Sequence, residues 1–442
     1  MDTPHEPRRG VAAPSETPTS RAAGLVLTDP ARAALLASRP LPGRVRPFAK
    51  TQERSLRMRV VFGRDPAPTE PEWRAMADAL WDGDAPADAM VQAMFELGPR
   101  AARALFERAV EGGIARVPEA PPAMKAFFEL VERDPAWLER PLLDEARRFI
   151  HGAGLAGPYV LRDFALMGGY RLSGFNHALI LTGALNKGAA QRVAETGQWW
   201  IDCTETNGFE RTGAGYKSTL RVRLVHALVR RGLANKAEWD LARWGLPVSQ
   251  IDMVATYLAF GPVMLAGLRM MGVPITARES KAVMHLWKYA GWLMGVEDRW
   301  LVDTERQGLL TLYHTFMTQS LPDWTSRELA LALANEPLER KYESLPRLRG
   351  RFEYYRHLSV TRYFLGKEKM EGLGLPTSIP PWYPLLSAGP RFVRYTSQRF
   401  VPGLRERQER DGRAEQLATL ATMFGDREHG IIRPDAGHPA GV

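Results

Sequence analysis

The sequence predicts an all-α protein organised as a single large multi-helix domain. Three observations carry this. Apolar residues recur at helical spacing in segment after segment, each break between segments carries Pro or Gly, and no alternating strand pattern persists beyond a few residues. No repeat unit is evident along the chain, so a solenoid is excluded.

Residues 1–45 are rich in Pro, Ser, Thr and Arg and are expected to be a disordered arm, with a short helix at 30–38. The body is expected over 46–400, and a final helix with a polar tail over 401–442. Residues 70–81 open the body as a helix: Pro71 suits the first turn, and Trp73, Met76, Ala77, Leu80 and Trp81 make an apolar stripe. Helices follow at 85–95, 99–111, 122–132 and 141–151, the second ended by Gly112 and Gly113. Residues 157–172 mix apolar and small side chains. Residues 175–185 are apolar nearly all round, which predicts a buried helix carrying His177. Residues 236–243 and 249–271 come next, with a break expected at Gly261-Pro262. In 276–295, Thr276 and Glu279 form a capping box, and the helix carries His285. Helices at 300–320, 326–334 and 350–365 complete the body, and the proline-rich 373–383 is expected to wrap the surface.

Composition narrows the classes. The chain has 442 residues, with 45% hydrophobic and 25% charged, ordinary values for a globular protein. The net charge of +9 comes mainly from arginine, but the arginines are scattered and form no zinc-finger or basic-zipper pattern, so no nucleic acid is expected as a partner. The single cysteine, Cys203, excludes an intrachain disulfide and suits a reducing compartment. Arg8-Arg9 is followed by no apolar run, and no stretch reaches 18 uninterrupted apolar residues, so neither a twin-arginine leader nor a spanning helix is expected. The expected location is the cytoplasm. Gly-x-Gly-x-x-Gly after a strand, Walker, His-Glu-x-x-His, Gly-x-Ser-x-Gly and paired Glu-x-x-His patterns are all missing.

The chemistry concentrates in two helices joined by a glycine-containing loop, at 185–203 and about 218–231. On the first, Arg192, Glu195 and Thr196 share a face that Trp199 extends. That triplet is either a solvated i,i+3 ion pair or one wall of a site. On the second, Ser218 or Thr219 suits the N-cap and Gly232 the C′ position. His226 lies among Val222, Val225 and Val229, flanked by Arg221, Arg223, Arg230 and Arg231. Such a histidine is either a hydrogen-bonded core residue or a metal or haem ligand, and flanking arginines such as Arg223 and Arg230 are what haem propionates need. The many Met and Trp residues of the middle third suit a pocket for a flat apolar cofactor, or a Met-rich core.

The Arg192/Thr196 face, the loop and the motif Arg221-Val222-Arg223-Leu224-Val225-His226 resemble the rubber oxygenase catalytic domain family, which includes latex clearing proteins and MpaB-like oxygenases. Arg192 and His226 are 34 residues apart (226 − 192), as the distal arginine and proximal histidine are in latex clearing proteins. The stretches at 244–252 and 287–296 also fit, and the resemblance runs over about 54–366. It implies an all-helical domain enclosing a b-type haem, with His226 as iron ligand and Arg192, Glu195 and Thr196 on the distal side. Arg192 would donate to a developing oxyanion, Thr196 more weakly, and Glu195 would accept a proton or orient Arg192. Two positions depart from the family. Glu195 stands where latex clearing proteins have lysine, and no carboxylate occurs near 174–177, where a base is expected. A carboxylate beside Arg192 is expected to form an ion pair with it. The expected reaction is oxygenase cleavage of a C=C bond with dioxygen, on a small apolar isoprenoid-like molecule rather than a polymer. The alternatives are a haem sensor, carrier or peroxidase-like protein, and a helical scaffold with no cofactor.

Overall fold

The structure, a computed structural model, describes residues 24–52, 56–183 and 189–425. Among these residues there are helices and turns and no strand, as the periodicity predicts. One large core joins Phe106, Phe127, Phe128, Trp199, Trp200, Leu224 and Trp287. Each such side chain contributes about 1.5–3 kcal/mol by leaving water. The helix Ala277–Leu293 lies along Arg140–Gly152, and Leu404–Phe424 covers Arg140–Gly152 and Ala189–Cys203. The C-terminal helix is therefore packed into the body. The capping box of Thr276 with Glu279 forms as expected, and Thr69, Ser249 and Thr304 build three more.

Several elements differ from expectation. Residues 24–45 are held against the body, not loose: Arg32 donates to the carbonyls of Ala234 (2.8 Å) and Trp239 (2.9 Å), and Arg44 pairs with Asp252 at 3.1 Å. Composition misses this because the arginines that look solvating reach orphan carbonyls at a helix end and a buried carboxylate. The rest of the expected arm, 1–23, and the tail from 426 lie outside the described residues. Gly261-Pro262 does not break its helix. A π turn at Ala259–Val263 absorbs the proline, and a second π turn, Leu161–Leu166, interrupts the segment containing Arg162 and Asp163. The stretch Gln250–Met270 is long and apolar enough to cross a membrane, but 72% of it is buried inside the protein.

The His226 helix is longer than expected, Ala214–Ala234. Ser218 and Thr219 do not cap it; they sit inside, with both hydroxyls donating to Gly215 O. Gly213 takes the cap position and Asn235 ends the helix beyond Gly232. The early start has a steric cause. A Cβ on Gly215 would lie 2.6 Å from Cys203 Cα, so the helix begins pressed against the end of the preceding one. The helix is then fixed by buried ion pairs: Arg223 grips Asp84 through two bonds of 2.7 and 2.8 Å, and Arg230 lies 3.3 Å from Asp88.

Gly295 closes over the Asp84–Arg223 pair with φ +93°, and a Cβ there would come 2.2 Å from Asp84 Oδ2. Gly295→Ala should therefore destabilise the protein by about 2–4 kcal/mol, read as a lower urea midpoint. A second test concerns acid. Burial, helped by Arg413, lowers the pKa of His151 from 6.5 to about 4. The unfolded chain thus binds this proton first as pH falls, so the stability His151 contributes is full above 6.5 and is lost towards 4. The stability gap between wild type and His151→Gln should shrink by of the order of 2 kcal/mol between pH 7 and pH 4 in urea titrations.

Candidate functional site

Five of the six described histidines have a hydrogen-bond partner. His151 reaches Thr204 O (2.6 Å), His177 reaches Asp323 (3.0 Å), His285 faces the amide of Glu139 (2.8 Å), His314 reaches Pro66 O (3.1 Å) and His357 reaches Asp163 (2.6 Å). His177 also stacks on Trp244. It is a satisfied, half-buried histidine, on a helix less deeply buried than its apolar pattern predicts. His226 differs from all five, since its Nδ1 is buried with no partner. Burial above all, then Arg230 and Arg192, lowers its pKa to about 4, with Asp84 opposing. The imidazole is thus neutral at physiological pH, with a lone pair available.

The face around His226 is unfinished in a consistent way. Val222, Val225, His226 and Val229 share one stripe of the helix and are all only partly buried. One turn on, Arg230 is fully buried, yet none of its three guanidinium nitrogens makes a hydrogen bond. Its neighbour Asp88 is pushed up to about 6 by burial, against the pull of Arg230. Arg223, in contrast, is fully engaged by Asp84 and Leu293 O and lies over the Phe127 ring. Of the two arginines expected to serve an anion, Arg230 has donors to offer and Arg223 has spent its own on protein partners.

The preceding helix runs antiparallel to this one. Trp199 Nε1 donates to Thr219 Oγ1 at 3.0 Å near the turn, which leaves Arg192 to act electrostatically on His226 further along. Arg192 and Thr196 line a cavity of about 1160 Å³. That exceeds the roughly 300–1,000 Å³ of ordinary ligand clefts. Its walls are mostly apolar, with Phe164, Trp200, Phe260 and Phe364 among them, and both π turns contribute to it. Wide helical turns of this kind are frequent at functional sites. His226 and Glu195 are not among its lining residues. The Arg192–Glu195 ion pair expected from sequence does not form. Glu195 accepts instead from Gln191 Nε2 at 3.0 Å, one turn back on its own helix. Arg192 has no carboxylate partner among the described residues, so its charge remains directed at the site.

A second polar group in the wall escaped the sequence reading. Asp163 joins Arg162 and His357, and Glu336 joins Arg162 (3.1 Å) and Arg340 (2.7 Å), all buried. Burial raises Asp163 to about 6 despite Arg162, whereas Arg340 and Arg162 overcome burial and hold Glu336 at about 2. Burial and the surrounding arginines keep His357 neutral. This cluster offers fixed dipoles and hydrogen bonds rather than a strong base. The signal was present: Arg162-Asp163 interrupts an apolar helix, and a charged pair there must be buried and matched. Among the described residues no three His, Cys, Asp or Glu side chains converge on a metal site.

A model of the family described as "ER-bound oxygenase mpaB/B'/Rubber oxygenase, catalytic domain" matches residues 153–395. The rubber oxygenase of Streptomyces sp. (strain K30) is 24% identical over 231 residues, which are 51% of this chain and 55% of that protein; the chain thus spans about half the length of that relative. The closed state of the latex clearing protein LCP superposes with a TM-score of 0.58 at 20% identity, over 80% of this chain and 92% of that one. The matched span holds the Arg192 and His226 helices, both π turns and the Asp163–His357 pair, and the chain belongs to the mpaB and rubber oxygenase catalytic-domain family.

Proposed function

We propose that this protein is a haem-b oxygenase that uses dioxygen to cleave a C=C bond in an apolar, isoprenoid-like small molecule. The observation that carries this reading is His226, a neutral imidazole with no protein partner where every other described histidine has one. The donor chemistry of His226 and Arg230 fits a b-type haem, although neither residue lines the cavity that Arg192 and Thr196 border. His226 would hold the iron, and the free donors of buried Arg230 would take a propionate. When bound, the haem supplies the activation of dioxygen. Family membership supports an oxygenase acting on a polyisoprene-like substrate, and the apolar cavity suits such a chain.

The chain's own residues have separable tasks. Phe164, Phe260 and Phe364 bind the apolar substrate and exclude water, which strengthens the charges that remain. Arg192, unpaired and preorganised, stabilises negative charge developing on oxygen. Thr196 is a second, weaker donor on the same face. Glu195 does not reach the cavity, so its part is to accept from Gln191 and keep that helix face in place.

The purified protein should show a Soret band that His226→Ala loses. With no lysine at 195 the ferric form should be high-spin, and a low-spin six-coordinate resting spectrum would count against this distal side. A wild type with no haem absorption would leave only an apolar-ligand scaffold. With an isoprenoid alkene, dioxygen uptake should yield carbonyl products. Arg192→Ala should lower kcat by about 10²–10³, and Glu195→Gln by much less.

A further inference from the structure

We propose that a face built from the helices Pro346–Gly372 and Trp382–Ser397 seats the protein on an anionic lipid surface. On the first helix and its cap, Leu345, Leu348, Phe352 and Tyr355 follow helical spacing and are all exposed. On the second, Leu385, Leu386, Phe392 and Val393 do the same at i, i+1, i+7 and i+8, Leu386 being 72% exposed. Phe400 and Val401 extend that stripe just past the helix end. The Phe352 and Trp382 rings lie 6.0 Å apart and join the two stripes. Soluble chains scatter such residues singly, and a contiguous patch marks a binding surface.

The charge around the patch selects the partner. Arg347, Arg349, Arg351 and Arg394 are exposed, and none has a carboxylate partner among the described residues. Elsewhere on the surface arginines are commonly paired, as Arg140 is with Asp134 and Arg221 with Glu107. Large apolar side chains beside unneutralised arginines are the pattern of helices that lie in a lipid interface. A second copy of the chain fits worse, because a two-fold contact would bring the same cations face to face. The patch also adjoins the cavity. Arg356 sits over the Phe352 ring at 5.4 Å and over Tyr383 at 5.3 Å, and also lines the cavity. An apolar ligand dissolved in a bilayer would then meet the protein on the side that leads inward.

Flotation with vesicles tests this on the full chain. Binding to phosphatidylcholine vesicles containing phosphatidylserine should exceed binding to phosphatidylcholine alone and should weaken as salt rises. The triple variant Arg347→Gln, Arg349→Gln, Arg351→Gln should bind the anionic vesicles roughly a hundredfold less tightly. Leu386→Asp with Phe392→Asp should abolish flotation. These positions are exposed, and unchanged thermal unfolding checks that both variants fold. Absence of flotation by the wild type, or equal flotation by all three proteins, would overturn the proposal. So would sedimentation showing a dimer that Leu386→Asp with Phe392→Asp dissociates, which would make the face a self-interface.

Discussion

The site depends on how the His226 helix is anchored. Arg223 and Arg230 project from the same side of it as His226, and Asp84 and Asp88 meet them from a neighbouring segment. Burying two guanidinium groups is costly unless each finds a carboxylate, so these pairs fix the helix in rotation and in register. That rotation decides where the imidazole of His226 points. The pairs are unequal: Asp84 satisfies Arg223 with two short bonds, while Asp88 leaves Arg230 with unmatched donors and is itself pushed towards neutrality. One arginine therefore acts as a structural rivet and the other keeps hydrogen bonds in reserve, one helical turn from an imidazole in the same condition.

The tight turn before this helix explains the opposite wall. Gly215 packs directly on Cys203, and Trp199 bonds Thr219, so the two antiparallel helices are pinned together at their joined end. Arg192 lies well away from that pin and faces the cavity without a protein carboxylate. Moving Glu195 to Gln191 leaves Arg192 with its full field, which a local ion pair would have dissipated. The neighbouring arginine-rich cluster behaves differently, because Asp163, Glu336 and His357 match Arg162 and Arg340 inside the protein. Two arginine environments thus border one apolar space, one internally compensated and one open.

The outer surface extends the same logic. The apolar stripes of the Pro346–Gly372 and Trp382–Ser397 helices are not covered by the body, and Arg356 links their edge to the cavity wall. An enzyme for apolar molecules must take its substrate from some phase other than water, because free concentrations in water are low. A face resting on lipid as proposed, with Arg356 at both its edge and the cavity wall, would shorten that transfer.

The sequence by itself determined most of the helices, though not Trp382–Ser397, together with the position of His226 among valines and arginines and the Arg192/Thr196 face, because these follow from residue type and spacing along one chain. The family was legible for the same reason: the gap between two helices is a linear property. The partners were not. Whether Arg223 or Arg230 would keep free donors, and whether residues 24–45 would be tied down, depended on groups far away in sequence, such as Asp84, Asp88 and the carbonyls of Ala234 and Trp239, while Glu195 chose between two neighbours on its own helix that spacing alone does not separate. Arg162-Asp163 was visible as a charged pair inside an apolar helix, but its partner His357, 194 residues from Asp163, was not. Only tertiary packing decides which buried polar groups are matched. Among the buried polar atoms that packing leaves without a hydrogen bond, those of His226 and Arg230 lie one helical turn apart, and that pairing marks the site because burying such groups is otherwise unfavourable.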